Sequence, residues 1–254
     1  MVSVKSWFWK ALAWFLSRGA AWIRRQRLCL APEAWRAVRF SYSHYAEDLI
    51  VAHLLSEKLR RGERGVYVDI GAFDPFLFSN TLLLHQHGWR GLNVDPNRAQ
   101  VERFKKYRPN DANVCAAVSD GARPMVFLEY PTAGTNRLAE PTEANLANVT
   151  GELPTHVQPM TTVSLTELLT AHLPDAAIDF LTVDCEGEDL KVLNGLDWTR
   201  WSPYVVAVEA YDDETRRNVT EFMKQRGYTL VAQAILTLIF VRTPAPVSAL
   251  RVFA

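Results

Sequence analysis

Glycine is missing where a dinucleotide enzyme needs it. The chain has 12 glycines in 254 residues, and no G-x-G-x-x-G turn occurs among them. The turn that could carry one reads Gly71, Ala72, Phe73, Asp74, Pro75. A pyrophosphate wants bare amides at a helix N-terminus, so this absence argues against a dinucleotide. Cysteine is also scarce. Cys29, Cys115 and Cys185 are odd in number and widely spaced, which yields neither a disulfide framework nor a zinc pattern and points to a reducing compartment. No run reaches the ~18 uncharged residues that a membrane span requires. Lys10 interrupts the first apolar stretch and no small-residue cleavage site follows it, so a secretory signal is poorly supported. A basic surface is lacking as well. Eight of the 28 Lys/Arg and one of the 28 Asp/Glu fall in residues 1–39, leaving 20 against 27 in the remainder. A nucleic-acid partner is therefore not expected.

The 48% hydrophobic and 22% charged content fits one well-cored α/β domain with a small appendage. The natural division is a basic-aromatic segment, 1–39, and a domain over 40–254. In residues 5–28, Trp7, Ala11, Trp14, Phe15 and Trp22 recur at helical spacing, interleaved with Lys10, Arg18, Arg24 and Arg25. Two readings fit: an amphipathic helix lying in an anionic membrane interface, or a helix docked on the protein's own core or on a second subunit. A helix capped by Ser43 follows, with Leu49, Ile50, His53 and Leu54 as its apolar face. Strands are expected at 66–70, 91–95, 113–118, 178–184 and 204–210, with helices at 79–88, 97–107, 164–171, 187–196 and 213–226. Residues 131–160 show little periodicity and read as a functional or mobile loop. The pair 228–231 and 235–241 has no helix between its members and must be an antiparallel hairpin. The predicted architecture is a doubly wound, Rossmann-like sheet with one antiparallel strand.

The chemistry concentrates at predicted strand ends. Val66, Val68 and Ile70 form a buried strand that runs into Gly71, where backbone can approach a ligand. Asp69 and Asp74 flank that turn with carboxylates, so a cationic ligand suits it, and S-adenosylmethionine carries both a sulfonium and an ammonium. Asp95 ends the next strand, where an acid can accept both hydroxyls of a ribose. Ser119 and Asp120 close the third strand, where an adenine edge would lie, although Ser-Asp-Gly is also an ordinary turn. Asp184, with Glu186 two residues on, ends the fourth strand, and Glu209 ends the fifth. Neighbouring parallel strands would bring Asp184 and Glu209 to one lip of the sheet. Carboxylates so crowded repel unless one is protonated or a cation joins them, and oxygen ligands suit Mg²⁺, Mn²⁺ or Ca²⁺. The plainer alternative is helix capping, since Glu186, Glu188 and Asp189 stand where a helix dipole favours acid. Cys185, among acids, reads as an inert packed thiol. His44, with Glu47 and Asp48 one turn on, reads as a solvated surface group rather than a lid.

Several blocks in order carry a resemblance. They are Ser41-Tyr-Ser-His-Tyr-Ala-Glu-Asp-Leu-Ile, Tyr67-Val-Asp-Ile-Gly-Ala-Phe-Asp-Pro with Ser79-Asn-Thr, Gly88-Trp-Arg-Gly-Leu-Asn-Val-Asp95, Ala117-Val-Ser-Asp120, and Phe180-Leu-Thr-Val-Asp-Cys-Glu-Gly-Glu. Across about residues 40–242 the chain resembles the FkbM family of S-adenosylmethionine-dependent O-methyltransferases, whose Asp-x-Glu-Gly signature matches Asp184-Cys-Glu-Gly187. The resemblance implies a class I methyltransferase fold and methylation of a hydroxyl, often on a sugar of a glycolipid or cell-envelope polysaccharide. The cysteine usage and the N-terminal segment add the expectation of a cytoplasmic enzyme, peripheral on the inner membrane face if residues 5–28 bind lipid. On this reading Asp69, Gly71, Asp74, Asp95, Ser119 and Asp120 hold the methyl donor. Asp184, Glu186 and Glu209 are the candidates to act on the acceptor, as a general base or, from their crowding, by holding Mg²⁺ or Mn²⁺ on Asp184 and Glu209. The competing readings are a Rossmann sugar-nucleotide or NAD enzyme, and a membrane-tethered methyltransferase fold without catalysis.

Overall fold

The computed structural model describes residues 39–243 apart from 133, 144, 145 and 149. The expected amphipathic helix at 5–28 lies outside the described residues. Among those described, no helix is long and apolar enough to cross a membrane.

Two helices, α1 (Glu47–Leu54) and α2 (Ser56–Arg60), lead into β1 (Val66–Ile70). Then come α3 (Leu82–Gln86), β2 (Arg90–Asp95), α4 (Arg98–Tyr107) and β3 (Ala112–Cys115). The chain continues through β4 (Ala117–Ser119), β5 (Pro124–Glu129), β6 (Arg137–Ala139) and β7 (His156–Ser164). It returns through α5 (Leu165–His172), β8 (Phe180–Val183), α6 (Asp189–Asn194) and β9 (Val205–Glu209). It finishes with α7 (Asp213–Lys224), β10 (Tyr228–Ala234) and β11 (Thr237–Arg242).

Seven strands form the main sheet in the order β10-β11-β9-β8-β1-β2-β3. Strands β3, β2, β1, β8 and β9 are parallel, and β11 runs antiparallel to both β9 and β10. The strand period of two sorts the core onto two faces. Val68, Ile70, Leu92, Val94, Leu181, Val183, Val206 and Val208 pack with Leu168 and Leu169 of α5, Val192 of α6, and Val219 and Met223 of α7. On the other face Tyr67, Phe180, Val205 and Ala207 pack with Val51 and Leu55, Leu84 of α3, and Trp89. Helices thus cover both faces of a mixed α/β sheet.

The expected strand at 113–118 is in fact two. β3 pairs with β2, but the chain bends at Ala116, and β4 leaves the main sheet to pair with β7. Nor is 131–160 structureless. It holds β6 and the start of β7, part of a second sheet in the order β4-β7-β5-β6. Its strands escaped the pattern because one side faces water: in β7, residues 156–159 are all exposed and Pro159 interrupts the run. The terminal hairpin is present, longer than expected and bulged between Leu230 and Ala232.

One contact sets the spacing of the sheet's C-terminal edge. Gly71 has φ +79°, and a Cβ there would fall 1.7 Å from the Asp184 carbonyl oxygen. The left-handed conformation alone costs an L-residue ~1–2 kcal/mol, and the overlap adds to it. Gly71→Ala is expected to lower stability by more than about 2 kcal/mol in urea denaturation. Gly121→Ala, where a Cβ meets nothing within 4 Å, should stay within about 0.5 kcal/mol.

Candidate functional site

The register of the parallel strands brings the predicted residues together. Ile70 pairs with Val94 on one side and Val183 on the other, and Val183 pairs with Val208. Gly71, Asp95, Asp184 and Glu209 therefore lie side by side at the carboxyl ends of β1, β2, β8 and β9, where open α/β sheets bind ligands. They line a cavity of about 380 Å³, with Asp69 and Glu186 also in its wall, a size suited to a small ligand. Phe127 of β5, Leu138 of β6 and the intervening Thr132, Thr135 and Asn136 close the cavity from the second sheet.

The turn after β1 is already hydrogen-bonded. The Gly71 and Ala72 amides donate to the Val94 carbonyl at 2.9 and 3.0 Å, and the Phe73 amide donates to Asp95 Oδ2 at 2.9 Å. The Phe76 and Leu77 amides donate to Asp74 Oδ1. Asp95 takes a second amide, from Asn97, on Oδ1 at 2.7 Å, so each of its oxygens keeps a lone pair for a ligand. Asp69 is buried and accepts from the Thr81 hydroxyl at 2.6 Å.

Three expected donor-binding residues stand outside the cavity wall. Asp74 turns away to an ion pair with Arg103. Ser119 is fully buried beneath Glu188 and Arg123, donating to Glu188 at 2.7 Å. Asp120 follows it to the surface, near Arg123. The third-strand residues that do face the cavity are Ala116, Ala117 and Val118, because the bend at Ala116 carries the chain past the site before Ser119 is reached.

At the lip, one carboxylate oxygen from each of Asp184, Glu186 and Glu209 lies within 4.8 Å of the others. Glu186 sits at φ +50° in the turn after β8, a conformation that costs a non-glycine residue energy and clusters at functional sites. Asp189 pins that turn by accepting from the Cys185 and Gly187 amides at 2.8 and 3.1 Å. The capping alternative thus holds for Asp189, while Glu188 is paired with Arg123 and Lys191. Cys185 is inert, since burial pushes its thiol well up.

Sequence reasoning missed several neighbours. The Tyr211 hydroxyl donates to Glu186, and its place two residues beyond Glu209 was the available signal. Glu47 is buried in the cavity wall, accepting from the Tyr45 amide and the Thr237 hydroxyl. His44 is in the wall too, with ring centroids 4.0 Å from Tyr45 and 4.5 Å from Phe78. It is exposed, as expected.

Like charges in a partly buried site raise one another's pKa. Burial pushes Asp69 up to about 6 against the pull of Thr81, and Asp95 up to about 7 against its two amides. Burial and then the Asp184 charge push Asp189 up to about 7 and Glu186 up to about 8. Burial and the Asp184 carboxylate push Glu209 well above the usual range, and burial raises Asp184 as well, so the pair shares a proton. Burial followed by the Glu186 charge raises the Tyr211 phenol, which stays a donor. The folded state therefore binds protons that the unfolded chain releases, and stability falls as pH rises past the unfolded value. In EDTA the melting temperature is expected to fall between pH about 4 and pH about 8. Glu209→Gln should flatten that profile and raise Tm at the alkaline end, by about 2–4 °C for each kcal/mol relieved. A melting temperature independent of pH would contradict this electrostatic picture.

A family model, the methyltransferase FkbM domain, matches residues 69–230. That span runs from Asp69 in β1 to Leu230 in β10 and includes all the strand-end acids of the cavity. No curated protein matches the chain. Among solved structures, the chain is similar to a methyltransferase FkbM from Methylobacillus flagellatus KT, at 13% identity and TM-score 0.47. That alignment covers 83% of this chain and 50% of the other, so the chain spans about half the length of that relative. It is also similar to a Pyrococcus horikoshii protein proposed to be an RNA methyltransferase, at 12% identity and TM-score 0.36, over 76% of this chain and 84% of the other. With the match to the domain model spanning more than half of its residues, the chain belongs to the FkbM methyltransferase family.

Proposed function

We propose that the protein is an S-adenosylmethionine-dependent O-methyltransferase. The observation that carries this reading is the turn after β1, whose amides are spent on Val94, Asp95 and Asp74. A pyrophosphate would find no free amide on Gly71, Ala72 or Phe73 and would meet the carboxylates of Asp69 and Asp95, which argues against the NAD or sugar-nucleotide alternative. A cationic adenosyl ligand suits the same wall. The strand order, with β11 antiparallel, supports a class I methyltransferase sheet. Asp95 keeps lone pairs for ribose hydroxyls, Gly71 brings backbone to the cavity, and Asp69 and Asp184 supply negative charge toward a cation. When bound, S-adenosylmethionine supplies an electrophilic methyl group.

The chain's part is to place and deprotonate a hydroxyl. Asp184 stands at the lip as the ionised partner of Glu209 and is the group to accept the hydroxyl proton. Holding the oxygen in line supplies much of the rate. The second sheet and Tyr211 border the cavity. The excess charge of the lip is balanced either by a proton shared with Glu209, in which case Asp184 is the base, or by Mg²⁺ or Mn²⁺ on Asp184 and Glu209, which would instead lower the pKa of the acceptor hydroxyl. The acceptor belonging to this reading is a sugar hydroxyl of a glycolipid or cell-envelope polysaccharide. Residues 5–28 would hold the enzyme on the anionic inner face of the membrane, where such an acceptor is made. Retention of Asp95, Asp184, Glu186 and Glu209 around one cavity argues against a fold that has lost catalysis.

Two substitutions separate the roles. Asp95→Ala is expected to weaken S-adenosylmethionine binding by about 1.5–3 kcal/mol, read by calorimetry. Asp184→Asn should leave that affinity nearly unchanged while abolishing transfer of labelled methyl to a cell-envelope glycan extract. Equal affinity in Asp95→Ala would remove Asp95 from the site, and labelling by Asp184→Asn at the parent rate would make the lip structural.

A further inference from the structure

We propose that Asp184, Glu186 and Glu209 form a three-carboxylate site for a hard divalent cation, with Glu186 as a full ligand. Other buried acids in this fold are each satisfied, by a cation (Asp74 by Arg103, Asp179 by Lys58, Glu188 by Arg123 and Lys191) or by neutral donors (Asp69 by Thr81, Asp95 by two amides, Asp189 by two amides). Among the described residues, no salt bridge to Lys or Arg reaches any of the three lip acids. Three carboxylates gathered at one cavity edge without such a partner leave a positive charge to be supplied.

Glu209 adds an independent indication. The residue is only 9% exposed, and its Oε2 is buried and meets no hydrogen-bond donor. A buried carboxylate oxygen left unpaired is costly, and this one belongs to the side chain that reaches into the cluster. The spacing suits an ion. Oxygens within 4.8 Å of one another are near enough to share a Ca²⁺, with bonds of about 2.3–2.6 Å, after at most a small inward shift of the side chains. Mg²⁺, whose bonds are about 2.0–2.1 Å, asks for a larger one. An all-oxygen set favours Mg²⁺, Mn²⁺ and Ca²⁺ over zinc. Three protein oxygens leave coordination positions open, and these face the cavity because all three acids line it. On the methyl-transfer reading, the acceptor hydroxyl enters at those open positions; the binding of the ion itself does not depend on that reading.

The test uses the full chain, stripped with EDTA and titrated with MnCl₂ alone, following water-proton relaxation without any methyl donor. One saturable Mn²⁺ site, displaced by excess Mg²⁺ or Ca²⁺, is expected. Asp184→Asn, Glu186→Gln and Glu209→Gln should each weaken Mn²⁺ by at least about tenfold, the low end of what even outer-shell substitutions cost. Asp213→Asn, at an exposed acid on α7, should not. Circular dichroism checks the folding of each variant. If the buried Glu209→Gln fails to fold, half-buried Glu186→Gln decides the outcome. The proposal is overturned if Mn²⁺ does not saturate at millimolar concentration, or if the three lip variants bind it as the parent does. Because no methyl donor is present, such a failure would leave the transfer reading standing.

Discussion

The site depends on the parallel register of β1, β2, β8 and β9. That register places Asp184 beside Glu209 and Gly71 beside Asp95, and hydrophobic burial on both faces of the sheet enforces it. A one-residue slip would send every core side chain to the wrong face, so the acids cannot separate without unfolding the sheet. Apolar packing thus offsets the cost of crowding carboxylates. The close pass of Gly71 over the Asp184 carbonyl is the tightest point of this arrangement. It makes the turn after β1 and the turn after β8 a single rigid edge, further secured by Asp189.

The same edge discriminates between ligands. A phosphate-binding turn presents amides, whereas this one has turned its amides inward to Val94, Asp95 and Asp74 and presents carboxylate and carbonyl oxygen. The neighbouring loop is fixed from behind. Arg108 is buried and donates to the Pro75 carbonyl, Ser79 and Thr81, and Thr81 in turn bonds Asp69. The Arg108 charge is thus spent on architecture behind the cavity, while in the wall itself six acids outnumber Arg137 and His44. Family membership points to methyl transfer, and an acidic wall is what the proposed cationic methyl donor calls for.

The main sheet was legible because its strands are buried on both faces and read as β-branched runs ending in acids. Asp95, Asp184 and Glu209 could be placed from that pattern alone, since the end of a parallel strand is a defined location. Ser119 and Asp120 could not, because Ala117–Ser119 continues the apolar run of 113–118 while belonging to a different sheet. The second sheet was hidden by its half-exposed strands, in which polar residues break the alternation. Glu47, His44 and Tyr211 reach the cavity through tertiary packing, from a helix and loops whose local sequence resembles any solvated surface. Asp74 illustrates the opposite error: it sits at the right place in sequence, but an arginine on α4 competes for it.

Calorimetric titration of the full chain with S-adenosylmethionine and, separately, with NAD distinguishes a carboxylate-walled cavity for a cationic adenosyl ligand from a dinucleotide site. Saturable binding of S-adenosylmethionine at one site and no heat from NAD are expected. Saturable binding of NAD with no response to S-adenosylmethionine would overturn the proposed function.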